Sequence, residues 1–184
     1  MALPNRKLAT WSDLQRTPDD GNMYEVLDGE LVMTPAPYLV HQDVSRQITK
    51  LVGRHIDDND LGTYWYAPTA VRLSKHDVPE PDFLFVRKDR LGECRSREAI
   101  HGPPDLVVEI LSESTFRKDL LRKRRIYERY GVLEYWIVDP AKETVTVLTL
   151  EELAYRDSKP VRGEDLIRSK VLPALKVRAG ELFG

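Results

Sequence analysis

Asp82, Glu109 and Lys123 carry charge where the surrounding sequence is apolar. Glu109 sits inside Asp105–Leu111, a run that is apolar except for its two carboxylates and has the composition of a strand buried on both faces. An ionised side chain there is expensive unless a cation or hydrogen-bond donors meet it. Asp82 opens Phe83–Val86, a second buried-strand pattern, at a position that suits both a turn-forming cap and a cavity-facing carboxylate. Lys123 belongs to a helical stripe of Phe116, Leu120, Lys123, Tyr127 and Tyr130, whose other members are aromatic or aliphatic. Two carboxylates on neighbouring strands suit a hard divalent cation such as Mg2+ or Mn2+, which prefers oxygen ligands and retains water. A lysine beside them can orient or help deprotonate a water, or offset charge building on a phosphate. Together they are equipment for phosphodiester hydrolysis, with a buried Glu109–Lys123 ion pair as the plain structural alternative.

The elements that must position these residues are legible in outline. Ser112, Ser114 and Thr115 offer N-caps for a helix reaching about Tyr130, and Glu134–Val138 supplies the next strand. Upstream, a short helix around Trp11 and Leu14 is broken at Pro18 to Gly21. Tyr24–Met33 reads as two β-prone runs around Asp28-Gly29, a hairpin with a type I′ turn. Glu30 follows the turn, either as an exposed strand residue or as a further carboxylate for the site. A helix is expected from Val40 to about Ile56, with His41 near its start and His55 toward its end. His55 reads as structural, and His41 suits either role.

Strands are expected at Thr63–Tyr66, Thr69–Leu73 and Thr144–Leu150, with a hairpin partner near Leu153–Arg156. A short helix is expected near Ser96–Ile100, and an extended tail over Ser169–Val177. The fold class is therefore α/β (α+β), a mixed β-sheet flanked by helices with hairpins toward both ends.

At 184 residues the chain is expected to form one domain, 1–184, with a core that needs no staples. A composition of 41% apolar and 32% charged residues argues against disorder, and a net charge of −2 confines any nucleic-acid affinity to a local surface. Cys94 is alone, which excludes a disulfide framework and a cysteine zinc site. With neither a spanning apolar stretch nor a signal-peptide core, the expectation is a cytoplasmic protein without membrane contact.

The ordered series YEVLDGELVM, PAP…HQ, VPEPDFLFV, PPDLVVEILSEST and GVLEYWIVDP resembles the PD-(D/E)xK restriction-endonuclease-like superfamily. It is most similar to the Uma-type putative restriction endonuclease branch. The Asp119…Lys123…Tyr127 spacing belongs to the likeness, which covers most of the chain. The resemblance implies a restriction-endonuclease-like sheet and a Mg2+- or Mn2+-dependent endonuclease acting on DNA. Asp82 and Glu109 would be the metal ligands, the Ile110 carbonyl a further one, and Lys123 the catalytic lysine. It also raises Glu30 and His41 as neighbours of the site. One departure stands out: two residues after Glu109 the chain has Leu111 where the superfamily has lysine, so Lys123 on the following helix takes that role.

The same helix carries Arg117, Lys118, Arg122, Arg124, Arg125 and Arg129 around its stripe. Such a run is either a solvated face or a phosphate-tracking patch that supplies sequence-independent affinity for DNA. A homodimer would let two sites address two strands. The alternative function is a catalytically inactive nuclease-fold module that binds nucleic acid or a protein partner, favoured by the missing strand lysine and the acidic net charge.

Overall fold

The apolar run around Glu109 becomes an inner strand of a six-stranded mixed sheet. The computed structural model describes residues 7–112 and 117–184, with backbone alone for residues 117 and 118. In chain order the elements begin with α1 (Trp11–Leu14), β1 (Met23–Leu27) and β2 (Glu30–Thr34). Next come α2 (Leu39–Ile48), a wide turn at Thr49–Gly53 and α3 (Arg54–Asp58). Then follow β3 (Gly62–Tyr66), β4 (Val71–Arg72), β5 (Phe83–Arg87), α4 (Leu91–Cys94) and β6 (Ile100–His101). The chain continues with β7 (Leu106–Ile110), α5 (Arg117–Tyr130), β8 (Glu134–Asp139), β9 (Thr144–Glu151) and β10 (Ala154–Asp157). A short helical turn, Ala179–Leu182, lies near the end.

The main sheet runs β10-β9-β8-β7-β5-β3, with β7 and β8 parallel and every other neighbour antiparallel. A parallel pair requires a crossover, and α5 provides it. Strand alternation then sorts the side chains into two layers. Phe83, Phe85, Leu106, Val108 and Ile110 meet Val44, Ile48, Val52 and Ile56 of the α2–α3 rod. Leu84, Val86 and Val107 face the other way, with Tyr127 of α5 and with Tyr135 and Tyr155. Glu109 lies two residues beyond Val107, so the same alternation turns it toward α5.

The hairpin β1–β2 stands apart from the main sheet, and Leu27 pairs with Glu30 across its turn. Asp28 and Gly29 both have positive φ, 45° and 72°, as a type I′ turn demands. At the end of the wide turn Gly53 packs against Tyr64, where a Cβ would lie 2.7 Å from Cζ and push the ring aside.

Three sequence expectations need correction. No helix forms at 96–100, because the Ser96 hydroxyl accepts the Glu98 and Ala99 amides in a local turn and Ile100 enters β6. The strand expected at Thr69–Leu73 shrinks to β4, paired in parallel with β6 outside the main sheet. The Ser169–Val177 tail adds no strand; it contributes Leu172, Leu175 and Val177 to the α2 side of the core. The expected caps Ser114 and Thr115 and the stripe residue Phe116 lie outside the described residues.

Candidate active site

The last pair of the β5–β7 ladder is Phe83 with Val108. One step further along the same register, Asp82 and Glu109 come opposite one another where the strands end. Asp82 Oδ2 accepts the Ile110 amide at 2.7 Å, which fixes that carboxylate against β7. Its Oδ1 lies 3.2 Å from Nε2 of His41, a first-turn residue of α2. Glu109 turns to α5 instead. Lys123 Nζ donates to both of its oxygens, at 3.0 and 2.9 Å, and the Tyr127 hydroxyl donates to Oε1 at 2.6 Å.

His41, Asp82, Glu109 and Lys123 line a cavity of about 280 Å³ walled by Leu27, Val32, Leu111 and Leu120. Asp82, Glu109, Lys123 and His41, all singled out from the sequence, are thus brought together. Glu30 is not among the residues lining it. It shares a face of the hairpin with Glu25, but it sits at the turn end and binds Arg122 at 3.1 Å. Glu25 occupies the position nearer the cavity, with Oε1 2.8 Å from Lys123 Nζ and 2.7 Å from the Glu80 amide it accepts. Sequence reasoning passed over Glu25 and Glu80. The one available signal was that Glu25 is two residues from Leu27, hence on its face of β1.

The electrostatics are those of a site short of positive charge. Glu25, Glu80, Asp82, Glu109 and Asp119 line the cavity against Lys123 and His41. Burial, with the Asp82 and Glu25 charges adding to it and Lys123 opposing, pushes Glu109 up to about 7. Burial and the Glu25 charge push Glu80 up to about 7. Burial opposes a charge on Lys123, but the Glu109 and Glu25 carboxylates outweigh it and hold the ammonium on. For His41, burial is likewise outweighed by Asp82, with Glu109 and the Ile110 backbone helping, so its pKa rises.

This donor set fits a hard divalent cation: oxygen ligands from adjacent strands, and more carboxylates than cations around one cavity. The buried Nδ1 of His41 also lacks a partner among the described residues. Among those residues no three His, Cys, Asp or Glu side chains form a ready-made ligand cluster. The match is to a cation that takes one or two carboxylates and completes its shell with water and substrate, as Mg2+ does.

The basic face of α5 is largely spoken for. Arg122 binds Asp28, Glu30 and the Leu27 carbonyl, Arg124 binds Asp157, and Arg129 binds Asp28. Arg125 is exposed. The side chains of Arg117 and Lys118 lie outside the described residues. His55 donates to or accepts nothing in the cavity; its Nε2 lies 3.0 Å from the Pro173 carbonyl, a structural contact. Among the described residues, no helix is long and apolar enough to cross a membrane.

Residues 11–180 match the family Uma2, described as putative restriction endonuclease. The fold is similar to that of a putative nuclease belonging to DUF820 from Anabaena variabilis, with a TM-score of 0.78 and 16% identity. That likeness covers 95% of this chain and 97% of the other, and at such identity it speaks for the fold alone. No curated protein matches the chain.

Proposed function

The chain belongs to the Uma2 family of putative restriction endonucleases, and on that premise we propose that it is a Mg2+- or Mn2+-dependent endonuclease hydrolysing DNA phosphodiester bonds. The observation that carries the reading is the meeting of Asp82 and Glu109, from adjacent strands, in one cavity with the Lys123 ammonium. Asp82 and Glu109 would hold the ion, with the Ile110 carbonyl as a further ligand. Such an ion supplies Lewis acidity toward a phosphate oxygen and acidifies water. Lys123, kept cationic by its carboxylate neighbours, orients the attacking water and offsets charge building on the phosphate. His41, whose pKa Asp82 raises, is a second donor for a phosphate oxygen. The apolar walls limit water and strengthen each of these interactions. The proposal includes a single domain over 1–184 acting in the cytoplasm, as a homodimer when both strands are cut.

A second reading, a nuclease-fold binding module without catalysis, draws on the saturation of Glu109 by Lys123, which contacts both carboxylate oxygens. A nicking assay on supercoiled plasmid separates the two. Under the first reading, Mg2+ supports nicking, EDTA abolishes it, and Asp82→Asn, Glu109→Gln and Lys123→Ala each lose it. Undiminished nicking in all three variants would sink the assignment. DNA binding without nicking, and without a Mg2+-dependent rise in melting temperature, would establish the module.

A further inference from the structure

We infer that Glu25 is a positioning residue that takes over the Lys123 ammonium when Glu109 turns to a divalent cation, an inference that rests on the metal-dependent reading above. Lys123 Nζ is shared three ways, 3.0 and 2.9 Å from the Glu109 oxygens and 2.8 Å from Glu25 Oε1. A divalent cation on Glu109 would stand beside an ammonium held by the same carboxylate, and the two positive charges repel. Oε1 already accepts both Lys123 and the Tyr127 hydroxyl, the latter at 2.6 Å, so Oε2 is the oxygen with room for a cation. The Lys123 side chain is only 12% exposed, and an ammonium that lost its partner there would be stranded away from water.

Glu25 prevents that outcome because its own place is fixed. It is 6% exposed, and its Oε1 accepts the Glu80 amide at 2.7 Å. It sits on a strand tied to β2 on one edge and, through Val26, to Val78 on the other. The ammonium therefore shifts toward a carboxylate it already touches, and stays beside the ion instead of leaving the cavity.

The test reads metal affinity, not turnover. Mn2+ binding is titrated calorimetrically in the wild type, Glu25→Gln, Lys123→Met and the double variant, with circular dichroism to verify folding. Glutamine keeps the acceptor for the Glu80 amide but holds an ammonium poorly. The expected result is a roughly 10- to 100-fold weaker Kd for Glu25→Gln with Lys123 present, the range typical of groups that orient a ligand. With methionine at 123 the Glu25→Gln effect should vanish, the signature of two residues acting as one unit. Equal weakening in both backgrounds would show Glu25 acting through its charge alone and overturn the inference while leaving the metal site standing. Wild-type protein that binds no Mn2+ would overturn both. If the methionine variants do not fold, a crystal structure of the wild type with Ca2+ decides. Nζ held by Glu25 and released from Glu109 Oε2 supports the exchange; Nζ still on both Glu109 oxygens, or swung out of the cavity, refutes it.

Discussion

Asp82 and Ile110 are joined where β5 and β7 end, by a hydrogen bond from the Ile110 amide to Asp82 Oδ2 of 2.7 Å. The bond occupies one carboxylate oxygen with a structural task and leaves the other facing His41 and the cavity. A single side chain thus closes the strand pair and offers a ligand, so its substitutions should separate the two effects.

Asp82→Asn retains an oxygen for the Ile110 amide and should change unfolding stability by less than about 1 kcal/mol in urea melts. Asp82→Ala leaves that buried amide without a partner and should lose about 1–3 kcal/mol. Both should lose metal-dependent nicking, and in both the His41 pKa should fall in an NMR titration, because the carboxylate that raises it is gone. Equal stability of the two variants would argue that the Ile110 bond carries no weight.

Lys123→Met should be the most damaging single change in the cavity. It leaves Glu109 and Glu25 buried without their cation, and breaking a buried pair from one side typically costs about 3–5 kcal/mol. The loss should be larger at pH 8 than at pH 5.5, because Glu109, already raised by burial and no longer held down by Lys123, takes up a proton as pH falls and the uncompensated charge disappears. Urea melts of the variant and wild type at pH 5.5 and 8 check this, and a pH-independent difference would count against the ion pair as the cause.

The centre of the fold was legible because Leu106–Ile110 and Phe83–Val86 are apolar on both faces and the α5 stripe has one inward face. Alternation in β7 and the spacing of Leu120, Lys123 and Tyr127 were enough to aim Glu109 and Lys123 at each other. Glu25 was not legible, since Glu25 and Glu30 share a hairpin face and only the docking of that hairpin selects between them. The fate of the α5 arginines was equally hidden. Their partners Asp28, Asp77 and Asp157 are far away in sequence and arrive only through tertiary packing.

Glu80 should give the protein a stability that declines with rising pH. Burial and the Glu25 charge raise its pKa from the ordinary 4.5 to about 7, so the folded state binds this proton more tightly than the unfolded chain does. Its contribution is complete below the unfolded value and fades as pH climbs through about 7. Discounted for partial solvent access, the change between pH 5 and 8 should be about 1–2 kcal/mol. Glu80→Gln should flatten that part of the profile, measured as Tm against pH without divalent ions. An unchanged slope would assign the dependence to another group.

Arg122 and Arg125 should part company when DNA binding and stability are measured side by side. Arg122 is 19% exposed at its side chain and pins the β1–β2 hairpin through Asp28, Glu30 and the Leu27 carbonyl. Arg122→Ala should therefore lose about 1–3 kcal/mol of stability, the usual cost of charge-assisted hydrogen bonds, while leaving the salt dependence of DNA affinity intact. Arg125 is exposed on the outer side of α5, and no ion pair involves it among the described residues. If it meets a phosphate, Arg125→Ala should leave stability within about 0.5 kcal/mol and reduce the slope of log affinity against log salt by about 0.9. Fluorescence anisotropy with a duplex oligonucleotide at several salt concentrations gives the slope. A change in slope with Arg122→Ala and none with Arg125→Ala would reverse the assignment, making the hairpin anchor the phosphate contact.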